Sequence, residues 1–254
     1  ILAGQTFQDF EFREIRAIGS GLEKPYVKSL QSASNFSVSD NQQPAAMGSL
    51  LGRINYAYDD RYLLTFNVRH DGSSRLRRDN RYEVFPSIGL AWKVHNDFTM
   101  PDFISELKLR GGVGLVGNEA VPNFIYQSVI NRSIPYEFAN GRVLGGATTG
   151  LVDPAIRWEV RTTRSLAVDA LFLDGSLEFS AEYYANTTED VLVNLPIPRS
   201  TGSLLPGLLT NAGSIKNSGV ELSASYRKTA GDFFFEVSPN FYTLHNEILV
   251  VSSY

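Results

Sequence analysis

Large apolar side chains recur at every second residue in one segment of the chain after another. Ile54, Tyr56 and Tyr58 stand opposite Arg53 and Asn55, and Leu64, Phe66 and Val68 stand opposite Thr65, Asn67 and Arg69. A period of two is that of a β-strand, whose successive side chains point to opposite faces. Only Asp59-Asp60-Arg61 separates the two runs, which predicts a hairpin. The alternation continues through Ile88, Leu90, Trp92 and Val94, and through Leu107, Leu109, Val113 and Leu115. It returns at Leu166, Val168, Ala170 and Phe172, at Leu177, Phe179, Ala181 and Tyr183, and at Val220, Leu222, Ala224 and Tyr226. The reading is all-β and antiparallel, with about ten strands.

Two architectures share this alternation. In a soluble sandwich the apolar face meets a second sheet, and in a transmembrane barrel it meets lipid. Tyr58, Tyr62, Trp92, Tyr183 and Tyr226 lie near the ends of apolar stripes, where the interfacial anchors of a barrel belong. The connections also alternate in length: 59–61, 173–176 and 228–232 are short, 95–104 is intermediate, and 70–83, 117–157 and 187–217 are long. Antiparallel strands put alternate connections at opposite ends, so the long ones gather at one end, as the extracellular loops of outer-membrane barrels do. The short turns then form a periplasmic rim, and parity puts roughly residues 17–47 outside as well.

Composition agrees. With 43% hydrophobic residues the chain can bury a core, so disorder is excluded. Mean hydropathy is −0.12, and no run of about 18 apolar residues offers a helical span, a test that barrel strands escape. A net charge of −4, with acids and bases scattered singly, provides no basic stripe for nucleic acid. The absence of cysteine removes disulfides and thiolate chemistry. Neither end carries a leader or a closing strand, so the chain is expected to be a piece of a longer protein.

Motifs for chemistry do not hold up. Gly112-Val113-Gly114-Leu115-Val116-Gly117 spells a dinucleotide fingerprint, but Asn118 to Pro122 cannot start the helix that would meet a pyrophosphate. Glycines that make room on a strand face are the simpler reading. Ser105 and Lys108 fit S-x-x-K on a strand rather than a helix, and His70, His95 and His245 lie far apart in sequence. No enzyme activity, metal or cofactor is expected. The sequons at Asn35, Asn131 and Asn186 are ordinary loop composition.

Arg53, Arg69, Arg110, Asp169, Glu178, Glu182, Glu221 and Arg227 fall on the polar side of the alternation and are expected to line a wet lumen. On the lipid side each would cost about 2–4 kcal/mol near the midplane. Phe124, Tyr126, Tyr136 and Phe138, within the longest connection, are candidate ligand contacts, since flat rings on loops suit oligosaccharide or peptide; loop packing is the simpler explanation.

Gly52-Arg53-Ile54-Asn55-Tyr56-Ala57-Tyr58-Asp59-Asp60-Arg61-Tyr62 and Arg69-His70-Asp71-Gly72-Ser73-Ser74-Arg75 resemble the SusC/RagA barrel. Phe85-Pro86-Ser87, Leu107-Lys108-Leu109-Arg110, Gly117-Asn118, Asp153-Pro154, Trp158-Glu159, Tyr183-Tyr184 and Asn211 to Glu221 extend the likeness in order along nearly the whole chain. The resemblance implies an outer-membrane barrel of about 22 strands around an N-terminal plug, importing oligosaccharides or oligopeptides with energy relayed by TonB. It also implies a SusD-type surface lipoprotein as a lid, and outer-membrane lipid as the surrounding medium. Plug, TonB-contacting segment and C-terminal strands are missing from these residues. Asp153 stands where the family usually has Asn, and Val160-Arg161-Thr162 departs from its commoner Glu-Thr-Thr, so that loop entrance is expected to be built differently. A passive porin and a soluble carbohydrate-binding sandwich are the alternatives.

Overall fold

The computed structural model describes residues 1–22, 26, 29–119, 121–139, 141–148, 150–203, 205 and 207–251. The strands are β1 (Leu2–Leu22), β2 (Ala33–Tyr58), β3 (Tyr62–Ser73), β4 (Tyr82–Lys93), β5 (Ile104–Asn118), β6 (Ile130–Phe138) and β7 (Gly141–Thr148). They continue with β8 (Glu159–Phe172), β9 (Leu177–Pro196), β10 (Gly207–Ala230), β11 (Phe233–Val237), β12 (Asn240–Tyr242) and β13 (His245–Val251). Apart from β6 and β7, they form one sheet in the order β1-β2-β3-β4-β5-β8-β9-β10-β11, every described pairing being antiparallel. β12 and β13 also pair with β10, so β11 to β13 make one interrupted stave beside it.

The register preserves the faces that alternation predicts. Tyr56 pairs with Leu64 and Leu64 with Leu90, whereas Arg53 pairs with Asn67 and Asn67 with Ser87. Because a slip of one residue would turn every apolar side chain to the polar face, the pattern itself pins the pairing. Ile54, Tyr56, Leu90 and Leu166 on the apolar face are exposed, and no second sheet covers them among the described residues. A sandwich would need that second layer; a barrel wall in lipid leaves the face bare.

On β4 the apolar face runs from Tyr82 to Trp92. At about 3.3 Å per residue and a tilt near 40°, those ten steps span roughly 25 Å, the height of the apolar band of an outer-membrane barrel. At the lower end Tyr58 stacks on Tyr62 and Tyr62 on Trp92, with ring centroids 6.5 and 6.3 Å apart. His70 and Tyr82 meet at the upper end, 5.5 Å apart.

The turns follow from local chemistry. Asp59 and Asp60 both have φ of +50°, and Arg61 N–H closes the turn on the Tyr58 carbonyl at 2.9 Å. Short polar side chains tolerate this left-handed geometry, whose twist matches the flanking strands. At the other end the strands outrun their apolar stripes. The connection placed at 70–83 is confined to 74–81, that at 187–217 to 197–206, and most of 17–47 is strand, since β1 and β2 pair from Leu2–Arg53 up to Leu22–Ala33. Past the lipid band neither face has to be apolar, so alternation fades while the hydrogen-bond ladder continues. The long connection 119–158 also carries its own hairpin, β6–β7.

Candidate functional site

All eight charged residues singled out from the sequence share the polar face of the sheet. Register carries that face from Arg53 to Asn67 and Ser87, on to Gly114 and Thr163, then to Asn186, Asn217 and Asn246. Within this row Arg53 Nε donates to Asn67 Oδ1 at 2.5 Å and Asn67 Nδ2 donates to Ser87 Oγ at 3.0 Å. Further round, Asn246 Nδ2 donates to Asn217 Oδ1 at 2.6 Å. A band of amides and hydroxyls across the sheet is a surface made to be wet.

Below it lies a charge network. Asp169 accepts from Arg110 Nε at 3.0 Å, Lys108 Nζ at 3.0 Å and Ser180 Oγ at 2.7 Å. Arg110 reaches over Ala167, which separates it in register from Glu182, and contacts that carboxylate at 2.8 Å. Ala167 is buried, and its small side chain is what lets the guanidinium cross. Glu178 and Arg227 are 3.8 Å apart, a loose pair, and Glu221 lies between Glu182 and Tyr242 in register. Above the amide row, Arg69 Nε meets buried Asp71 at 2.6 Å, and Arg69 Nη2 donates to Ser49 Oγ at 3.0 Å.

Toward the long-connection end the sheet acquires a small core of Leu76, Phe85, Val121, Ile156 and Trp158. Trp158 packs edge-on against Phe85, with centroids 5.5 Å apart, and donates its indole N–H to the Arg81 carbonyl at 3.1 Å. Residues 153–159 are fastened on the other side to β9 and β10. Asp153 accepts from Thr210 Oγ1 at 2.5 Å, Arg157 pairs with Asp190 at 2.6 Å, and Glu159 accepts the Leu192 N–H at 2.7 Å. Asn211 closes the staple, accepting Arg157 N–H at 2.9 Å and donating to the Asp190 carbonyl at 2.6 Å. Asp190 raises Arg157 above its ordinary value, chiefly by hydrogen bonding. Of these residues the family likeness marks Phe85, Asp153, Trp158, Glu159 and Asn211; a tryptophan two residues from Ile156 inside a polar connection is the signal of a packed anchor.

The loop aromatics fall into two groups. Tyr136 and Phe138 share one face of β6 with rings 4.7 Å apart, and both are exposed. Phe124 and Tyr126 sit in the turn before the hairpin, Phe124 at φ +61°, where Asn123 Nδ2 ties the chain to the Pro44 carbonyl at 3.0 Å. No ring contact joins the two groups among the described residues. The glycine-rich run 112–117 lies wholly within β5, and no cluster of metal-binding side chains occurs among the described residues. Gly117 leaves the space that the Phe85 ring fills.

Comparison with known proteins gives a consistent result. Residues 2–252 match the family model for the TonB-dependent receptor-like β-barrel. The chain is 30% identical to TonB-dependent receptor P39 of Formosa agariphila, an alignment that takes in 98% of this chain and 24% of that protein. It is 34% identical to TonB-dependent receptor SusC of Bacteroides thetaiotaomicron, over 79% of this chain and 20% of SusC. The structure of the RagAB peptide transporter superposes on 98% of this chain with a TM-score of 0.83 and 26% identity, using 28% of its own chain. The chain spans about a quarter of the length of such relatives.

Proposed function

The chain belongs to the TonB-dependent receptor β-barrel family, and from that premise we propose that it forms part of the wall and extracellular mouth of an outer-membrane importer in a Gram-negative bacterium. The observation that carries this reading is the division of one continuous antiparallel sheet into a bare apolar face and a face of amide rows and charge networks. The apolar face suits lipid, and the polar face a hydrated lumen. Arg53, Arg69, Arg110, Asp169, Glu178, Glu182, Glu221 and Arg227 line that lumen in this proposal, and the long connections face outward.

No covalent chemistry is called for. Cargo, an oligosaccharide or oligopeptide, enters from a SusD-like lipoprotein lid, and TonB acts through an N-terminal plug supplied by the rest of the protein. Tyr136 and Phe138 offer cargo a flat exposed pair on the hairpin, with Phe124 and Tyr126 at its base. The test is uptake by cells carrying the full-length protein, with and without functional TonB. Uptake that stops when TonB is lost supports an energised importer. Undiminished flux without TonB would replace it with a passive pore.

A further inference from the structure

On the outward, apolar face of the sheet, β8, β9 and β10 break their alternation with two polar rows. The lower row is Arg164, Ala185 and Ser218, and the upper row is Thr162, Thr187 and Lys216. Directly beneath them on the same face stand Leu166, Tyr183 and Val220, all exposed. Height follows from the lower rim, where Phe172 stacks on Phe103 and Tyr226 meets Phe235, with centroids 6.3 and 5.8 Å apart. Counting up β8 from Phe172 to Arg164, and up β10 from Tyr226 to Lys216, gives roughly 20 and 25 Å at a 3.3 Å rise and a tilt near 40°. Both cations therefore stand at the upper boundary of the apolar band.

Arg164 and Lys216 make no ion pair or side-chain hydrogen bond among the described residues, and the hydroxyls of Thr162, Thr187 and Ser218 are equally unengaged. Two carboxylates share the face, Glu189 above Thr187 and Glu247 beside Lys216, but neither pairs with a cation among the described residues. The patch is turned away from the lumen, and β5 and β13 flank its three strands, so this chain's own strands bound it. An arginine at the edge of hydrocarbon turns its head toward the headgroups, and an anion there relieves its charge. A guanidinium offers a fork to phosphate oxygens, an ammonium adds a point charge, and hydroxyls add donors. The small side chain of Ala185 leaves room between them, and the apolar row beneath suits acyl chains descending from such a group. A phosphate ion free in water has no use for that row. We propose that this patch seats the phosphate-bearing headgroup of an outer-leaflet lipid, with Arg164 and Lys216 on its oxygens and its chains along Leu166, Tyr183 and Val220. The site rests on the reading that this face meets lipid, and not on energy coupling.

The experiment is photo-crosslinking of the full-length protein carrying Tyr183→benzoylphenylalanine, reconstituted in phosphatidylcholine vesicles with a minor share of phosphatidylglycerol of the same acyl chains. Mass spectrometry of the adducts is expected to show phosphatidylglycerol enriched about tenfold over its share of the membrane, as for one charge-assisted fork. Phe66→benzoylphenylalanine, outward on β3 and away from these cations, should capture the two lipids in the membrane ratio. Arg164→Gln should bring the enrichment at position 183 within about twofold, and Arg164→Lys should keep part of it. Retained resistance of the barrel to detergent denaturation shows that the variants still fold. Replacing chloride by inorganic phosphate at equal ionic strength should leave the enrichment in place, because the acyl chains hold the lipid. Its loss there would make a free ion the occupant and overturn the proposal. Lipid captured at both positions without enrichment at 183, an undiminished enrichment in Arg164→Gln, or crosslinks to a second copy of the protein would overturn it equally. No lipid adduct at either position would sink the lipid-facing reading and the site with it, whereas flux that proves independent of TonB would leave the site standing.

Discussion

Asp97 accepts the indole N–H of Trp92 across 2.6 Å, tying the connection after β4 back to the strand that leads into it. The same carboxylate takes Arg61 Nη1 at 2.6 Å and the Tyr62 hydroxyl at 3.1 Å. Beside it Asp60 takes Lys93 Nζ at 2.6 Å, and Asn96 donates to the Asp60 carbonyl at 2.8 Å. Two short-end turns are thereby locked together under the stacked rings of Tyr58, Tyr62 and Trp92. Indole and phenol groups sit with their apolar bodies toward lipid and their polar edges satisfied by the rim, the arrangement an interfacial anchor requires.

This rim should give the protein an acid-sensitive edge. Asp97 is held below the ordinary carboxylate range, first by the Trp92 N–H, and Asp60 by the hydrogen bond from Lys93. A carboxylate whose value falls on folding contributes stability above its ordinary value of about 4, and that contribution disappears as pH drops through the folded value below it. Thermal unfolding of the full-length protein in detergent should therefore be level from pH 7 to 5 and decline below about pH 4. Asp97→Asn should start lower and decline less steeply. An identical acid limb in the variant would show that Asp97 is not its source.

Phe66 and Asn67 are neighbours in sequence on opposite faces of β3, so the proposed lipid and lumen sides part within one residue. Phe66 pairs with Ile54 and Ile88, inside the apolar band. Phe66→Arg is expected to cost about 2–4 kcal/mol in folding into bilayers, while Asn67→Arg should cost much less. Equilibrium folding of the full-length protein into vesicles measures both. Comparable losses for the two variants would contradict the assignment of faces.

The sequence made these faces legible and left the heights obscure. Alternation at Leu64, Phe66 and Val68 assigns each side chain to a face, because the strand period is two and lipid demands an apolar side. It says nothing of where a strand stops once it leaves lipid, which is why β9 runs to Pro196 well past the visible stripe at Tyr183. The β6–β7 hairpin is written only in the alternation of Ile134, Tyr136 and Phe138, inside a connection whose Asn-, Gly- and Pro-containing composition reads as loop. Of the site, the shared face of the eight charged residues was readable. The partnership of Arg110 with Glu182 across Ala167 depends on register between three strands, which no single strand reveals.

The network around that pair centres on Asp169, which balances Lys108 and Arg110 while Glu182 balances Arg110 from the far side. Asp169→Asn keeps the shape but leaves two cations with one remaining carboxylate. Because the groups are partly solvated, the expected loss is about 1–2 kcal/mol, less than for a dry pair. It should shrink further in high salt, since solvent ions screen the surplus positive charge. Chemical unfolding at low and high ionic strength separates the two contributions. A loss that does not depend on salt would point to packing as the network's main role.

Trp158 holds the longest connection to the sheet, and its removal should free that end without melting the strands. The ring is almost wholly buried against Phe85, and its N–H is satisfied by the Arg81 carbonyl. Trp158→Ala removes both contacts, at a cost of about 3–5 kcal/mol to the local packing. Since connections open independently of the sheet, this should raise protease cutting within 119–158 by roughly a hundredfold or more while detergent resistance of the barrel persists. Trp158→Phe keeps an aromatic ring against Phe85 but loses the hydrogen bond and part of the buried volume, about 2 kcal/mol together, so cutting should rise only about thirtyfold. Gly117→Ala attacks the same core from β5, because an added methyl group would strike the Phe85 ring and displace it from Trp158. If neither Trp158→Ala nor Gly117→Ala exposes the connection, then the fastening rests on Asp153, Arg157 and Asn211, and Asn211→Ala becomes the variant that releases it.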